Sequence, residues 1–101
     1  MQLISENLRT ALLEQFGEEK YNSHIYLAMY SFLKNMGLNN IAGKFKEQYE
    51  EESKHAEMII EYLLDVNAPV SLPQVQSCDS PSTLSEIAKL YLDREIYTTL
   101  S

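Results

Sequence analysis

The sequence has few residues that interrupt a helix and almost none that cross-link a fold. Its 101 residues include three glycines, three prolines, one cysteine and no tryptophan. With Cys78 alone, no internal disulfide can form, and nothing points to an oxidising compartment. Basic residues are also scarce. Eight Lys and Arg face fifteen Asp and Glu, for a net charge of -7 and a pI near 4.7. That balance argues against nucleic acids and anionic membranes as partners and favours cations. No stretch approaches the ~18 apolar residues of a membrane span. The opening Met1-Gln2-Leu3-Ile4-Ser5 has neither the basic nor the long apolar region of a signal peptide. The expectation is a cytoplasmic protein without a membrane or nucleic-acid partner.

What the sequence does contain is helical. Hydrophobic residues make up 45% and charged residues 23%, a mixture able to form a packed core. Ser5 is placed to cap a first helix over about residues 5–36, which Asn35-Met36-Gly37 ends. Asn39 or Asn40 is placed to cap a second helix over about 40–66, which stops at Asn67-Ala68-Pro69. Residues 67–82 are rich in Pro, Ser, Val and Gln and carry no helical period. Thr83-Leu84-Ser85-Glu86 has the form of a capping box and opens a third helix from residue 83. The short first link predicts an antiparallel hairpin. The second link is long. Fully extended it reaches ~50 Å, enough to return along the second helix and start the third beside its beginning, parallel to it.

The apolar stripes are interrupted at matching heights. Leu12, Phe16, Glu19, Ser23, Tyr26, Tyr30 and Leu33 follow alternating steps of four and three on the first helix. Ile41, Phe45, Gln48, Glu52, His55, Ile59, Tyr62 and Val66 do so on the second. A carboxylate in such a stripe calls for a partner, a proton or a metal, because burying it alone is costly. Folding the hairpin near Leu38 puts Glu19 within ~3–8 Å axially of Glu52 and His55. Glu52 and His55, three residues apart, share one helix face. Asp93, ten residues into the third helix, joins the same layer if the second and third helices start level. Tyr26 lies two turns from Glu19 on the same stripe.

Carboxylates with one imidazole and no thiolate suit iron or manganese, with zinc as a competitor. A bridging carboxylate can hold two metal ions, and open positions would accept dioxygen or peroxide. Glu-x-x-His alone carries little weight in a chain with twelve Glu, and the agreement in height is what singles out Glu19, Glu52 and His55. Glu50, Glu51 and His24 read as surface residues, and Tyr30 and Tyr62 as core filler.

At these residues the sequence resembles the ferritin family, in particular its non-haem bacterial members. Glu19-Lys20-Tyr21 with Tyr26 resembles the family's first-helix segment, and Glu51-Glu52-Ser53-Lys54-His55-Ala56-Glu57 its second-helix motif. Asn67-Ala68-Pro69-Val70 through Leu72-Pro73 is similar to its crossover, and Leu92-Asp93-Arg94 falls where the third helix carries Leu-Glu-Lys. The resemblance implies an all-α, ferritin-like fold: an antiparallel hairpin, a long crossover and the start of a third helix. A missing helix or a partner chain would complete the four-helix bundle. It implies a di-iron carboxylate site with Glu19, Glu52, His55 and Asp93 as metal ligands, Glu52 bridging, and Tyr26 as the nearby catalytic tyrosine. The implied activity is ferroxidation, the oxidation of Fe(II) to Fe(III) by dioxygen or peroxide, with iron storage. The implied assembly is a homo-oligomer, a 24-subunit shell in the family and at least a dimer here. No haem is expected, because Ser53 stands where haem-binding bacterioferritins have Met.

The sequence departs from that pattern twice. Asp93 is one methylene shorter than Glu, and the chain reads as roughly half to two-thirds of a four-helix subunit, truncated at its C-terminal side. The alternative reading is a helical assembly module with a vestigial or incomplete metal site. A rubrerythrin-type peroxidase is disfavoured, since no Cys-x-x-Cys pair is present.

Overall fold

The computed structural model describes residues 1–78, 81 and 83–100, with side chains described as far as Asp93. It is all-helical: α1 spans Glu6–Asn35, α2 Asn39–Asp65 and α3 Leu84–Leu100. With principal extents of 51 × 22 × 22 Å and a radius of gyration of 15.7 Å, the molecule is a rod. Its length follows from the thirty residues of α1, which at 1.5 Å per residue span ~45 Å.

Local chemistry sets the helix ends. Ser5 has extended backbone angles, and its hydroxyl accepts the Leu8 N–H at 3.1 Å, with Glu6 in the first turn beside the positive end of the helix dipole. At the other end Gly37 takes φ +79, its N–H donates to Lys34, and Leu38 N–H reaches back to Leu33, both at 3.0 Å. This is a Schellman closure, and Leu38 adds the apolar contact that usually accompanies it by packing on the cluster that holds Leu33. The end of α2 repeats the device. Asn67 takes φ +58, its N–H donates to Leu64 at 3.1 Å, and Ala68 N–H donates to Leu63 at 2.9 Å. Ala68 and Leu63 are both buried there. The second helix does not use Asn39 or Asn40 as its cap. Leu38 occupies that position without a side-chain bond, because the turn that closes α1 runs straight into α2.

The hairpin packs on an axis about one residue from the expected stripe on α2. Ala42, Ala56 and Leu63 are fully buried, and with half-buried Tyr49 they form a strict heptad line. Phe45, Glu52, Ile59 and Val66 lie beside that line and are half-buried, whereas Ile41, His55 and Tyr62 form an exposed flank. The two alanines explain the shift, since small side chains let the helices approach closely. On α1, Phe16, Ser23, Tyr26 and Leu33 are buried as the stripe predicts, and Leu13, Ile25 and Met29 are buried as well. Ile25 and Met29 pack in the cluster that contains Ile87 of α3, and Leu13 packs near Ala68 and Val70, so elements beyond the hairpin widen the apolar face.

The crossover climbs α1. Arg9 Nε donates to Pro69 O at 2.7 Å, Pro73 lies against Gly17, and Gln76 to Cys78 stand beside Tyr21. Four extended residues from Pro69 to Pro73 cover ~13 Å, matching the ~12 Å that α1 rises between Arg9 and Gly17. The crossover therefore returns toward the hairpin turn, where Thr83 Oγ1 accepts the Glu86 N–H at 3.1 Å and starts α3. Ile87 and Leu90 pack on the hairpin core, and Tyr91 meets Phe45 edge-on with ring centroids 5.5 Å apart. Among the described residues, α3 covers the half of the hairpin nearer its turn.

Gly17, inside α1, and Gly37, just beyond its end, should respond oppositely to alanine. Gly37→Ala forces a Cβ into the left-handed region and should cost about 1–2 kcal/mol. Gly17→Ala removes a helix-interior glycine, and its added Cβ meets Pro73 Cγ at an ordinary 3.4 Å. That change should be neutral or stabilising by up to about 1 kcal/mol. Urea unfolding midpoints of the two variants measure both effects.

Candidate metal centre

Glu19 projects from the middle of α1, and Glu52 and His55 project from successive turns of α2. The antiparallel hairpin brings them to one height, as the sequence spacing predicts. One ligand atom from each lies within 4.8 Å of the others. Glu19 and Glu52 are half-buried, and His55 is exposed because it stands on the outer flank of α2.

Glu19 is unevenly satisfied. Its Oε1 accepts Gln15 Nε2 at 2.8 Å, from one turn earlier on α1. Its Oε2 is buried without a hydrogen-bond partner, and His55 Nδ1 stands 3.7 Å from it. That gap is too long for a hydrogen bond and suits a cation between the two, since two ligands at ~2.1 Å from a metal span at most ~4.2 Å. No separation in the trio exceeds 4.8 Å, so any closure needed is at most ~0.6 Å, within side-chain reach. Glu52 is pushed up from 4.5 to about 8 by burial, by hydrogen bonding and negative charge from Glu19, and by the negative charge of Glu51. Two carboxylates and an imidazole that crowd one another, with an orphaned oxygen among them, fit a divalent cation.

Tyr26 is buried, two turns beyond Glu19, and stacks on Phe45 with centroids 6.3 Å apart. Asp93 does not join the trio. It is exposed and lines a crevice with Tyr21, Cys78, Pro81 and Lys89. The reason is the height of α3: Tyr91 is level with Phe45, which leaves Asp93 short of Glu52 along the hairpin. The fourth expected ligand therefore lies apart from the other three. Gln15 was not singled out in the sequence. Its place four residues before Glu19, on the same helix face, is the signal that identifies it.

The groove beside the trio is open. Leu12, Glu19, His55, Met58, Ile59 and Tyr62 line it, and Met58 is 56% exposed. No helix among the described residues is long and apolar enough to cross a membrane.

Comparison with known proteins shows the family and the fold. A family model for the ferritin-like domain matches residues 9–101. A bacterial non-heme ferritin of Bacteroides fragilis is 34% identical over 62 residues, covering 61% of this chain and 39% of the relative. Ferritin BfrB of Mycolicibacterium smegmatis is 32% identical over 93 residues, covering 91% of this chain and 51% of the relative. The chain thus spans about 39% and 51% of the lengths of these two curated relatives. An open pore ferritin from Archaeoglobus fulgidus has a similar fold, with a TM-score of 0.75 and 24% identity over 89% of this chain and 58% of that one.

The titration of Glu52 sets a sign for stability. Its folded pKa is about 8 and its ordinary value 4.5, so between these the folded state holds a proton that the unfolded state has released. This contribution favours folding at low pH and is lost as pH rises through the interval. Glu52→Gln cannot ionise. The metal-free variant should match the wild type near pH 4.5 and exceed it in thermal midpoint above pH 8, as followed by circular dichroism.

Proposed function

The chain belongs to the ferritin family, and on that premise we propose that it binds Fe(II) as a substrate between Glu19, Glu52 and His55 and oxidises it to Fe(III). The orphaned, buried Oε2 of Glu19, facing His55 across 3.7 Å, is the observation that carries the proposal. Iron bound there relieves the repulsion between the carboxylates and gives the orphaned oxygen a partner. Binding requires Glu52 to be ionised, so iron displaces a proton, and uptake strengthens as pH rises. Each Fe(II) gives one electron to dioxygen or peroxide, and the product Fe(III), a harder ion, is well suited to carboxylate oxygens. Glu52 is the bridging ligand of a two-iron arrangement, as the family resemblance implies. Its ligand atom lies within 4.8 Å of those of Glu19 and His55, which supports that role. Tyr26, buried two turns from Glu19, is the residue that would supply an electron or a hydrogen bond, as the family resemblance implies. Storage of the oxidised iron, a homo-oligomeric shell and a cytoplasmic location complete the proposal as properties of the family.

A narrower reading, an assembly module whose site no longer turns over iron, is favoured by one feature. Asp93 stands apart from the trio, and three protein ligands leave much of a first-row ion's coordination to other donors.

Oxygen consumption on adding Fe(II) separates the two readings. The wild type should consume oxygen in proportion to added iron. Glu19→Ala and Glu52→Ala should each slow this by at least tenfold, whereas Tyr26→Phe should slow oxidation without weakening Fe(II) binding measured anaerobically. A wild-type chain that consumes no oxygen above the rate of free Fe(II) supports the assembly reading instead.

A further inference from the structure

The contact between Gln15 and Glu19 has a use in the metal site. We propose that Gln15 is a positioning residue, which holds the Glu19 carboxylate so that Oε2 alone is presented to His55 and to an incoming divalent cation. This inference rests on the metal-binding reading of Glu19, Glu52 and His55.

A glutamate carboxylate turns readily about its last torsion, whose profile is broad and two-fold, and so offers either oxygen or both. Here that freedom is removed. Gln15 stands four residues before Glu19 on the same face of α1, and its Nε2 donates to Glu19 Oε1 at 2.8 Å. The direction of this bond is fixed by chemistry, because an ionised carboxylate only accepts and the amide must turn its nitrogen toward it. With Oε1 engaged, Oε2 is the oxygen left for a ligand: buried, without a hydrogen-bond partner, and 3.7 Å from His55 Nδ1. Two atoms that are equivalent in a free carboxylate thus have different tasks.

The donor suits the role. An amide is neutral, so it orients the carboxylate without cancelling the charge that attracts a cation, whereas a Lys or Arg would compete with the metal. The contact also lies within one helix, so spacing alone sets it. Side chains that bind metals are ordinarily held in this way by outer hydrogen-bond partners. Held by Gln15, Glu19 gives a cation one oxygen. Released, it is free to chelate with both, which adds a donor around the metal.

The test is Co(II) binding by the whole 101-residue chain. Calorimetry gives the affinity, and the visible absorption of the bound ion falls in intensity as its number of donors rises. Gln15→Met keeps the length and helix preference of the side chain and removes the donor. It should weaken Co(II) binding by about tenfold, the lower end of the range for residues that orient a metal ligand, and should lower the absorption per bound ion. The thermal midpoint without metal should stay close to that of the wild type, since one such pair adds little to a packed helix. Gln15→Lys returns a donor of similar reach. Although its charge competes with the cation, it should restore the wild-type absorption per bound ion. A Gln15→Met chain with wild-type affinity and absorption overturns the positioning role and leaves the metal site standing. A Gln15→Lys chain that keeps the lowered absorption of Gln15→Met also overturns it. A wild-type chain that binds no Co(II) overturns the metal site and the role of Gln15 together.

Discussion

Two carboxylates held together between packed helices are the constraint around which this structure is arranged. Glu19 and Glu52 both lie half-buried in the hairpin, and burial together with Glu19 raises the cost of ionising Glu52. Among the described residues, the relief on offer is incomplete. Gln15 satisfies one oxygen of Glu19, and His55 approaches the other without bonding it. A proton on Glu52 relieves the crowding at low pH, and a cation relieves it at any pH where the carboxylates are free. On the proposed reading, the pocket is a place where a metal would replace a proton.

The carboxylates meet because the hairpin register is fixed at both ends and along its length. The Schellman closure at Gly37 sets where α1 stops and α2 starts, and a one-residue slip there would rotate the α2 face by ~100°. The buried line of Ala42, Ala56 and Leu63 fixes the rotation of α2 independently. The crossover adds a third restraint. Its contacts with Arg9, Gly17 and Tyr21 return the chain to the turn and leave α3 on that half of the hairpin. Among the described residues, the groove lined by Leu12, Glu19, His55, Met58, Ile59 and Tyr62 lies beyond that half.

Much of this could be read from the sequence. The caps at Ser5 and Thr83, the stops at Gly37 and Asn67, and the heights of Glu19, Glu52 and His55 all follow from local spacing and turn chemistry. Longer-range packing was harder to read. The rotation of α2 by about one residue depends on which small side chains the facing helix accepts, and a period of three and four cannot choose between adjacent stripes. The exposure of His55 follows from that rotation. The placement of Asp93 depends on where a long, irregular connection delivers α3, a matter of contacts such as Pro73 on Gly17 that carry no sequence period. Tertiary placement of this kind separates the three candidate residues that meet, Glu19, Glu52 and His55, from Asp93, which does not join them.

The central claim is that Glu19, Glu52 and His55 form one iron site. Anomalous diffraction at the iron edge, from crystals equilibrated anaerobically with Fe(II), tests it most directly. The account predicts the strongest peak between these three side chains, within bonding distance of Glu19 Oε2. Iron bound instead along the exposed acidic face at Glu50, Glu51 or Glu57, with none between the hairpin helices, would contradict it.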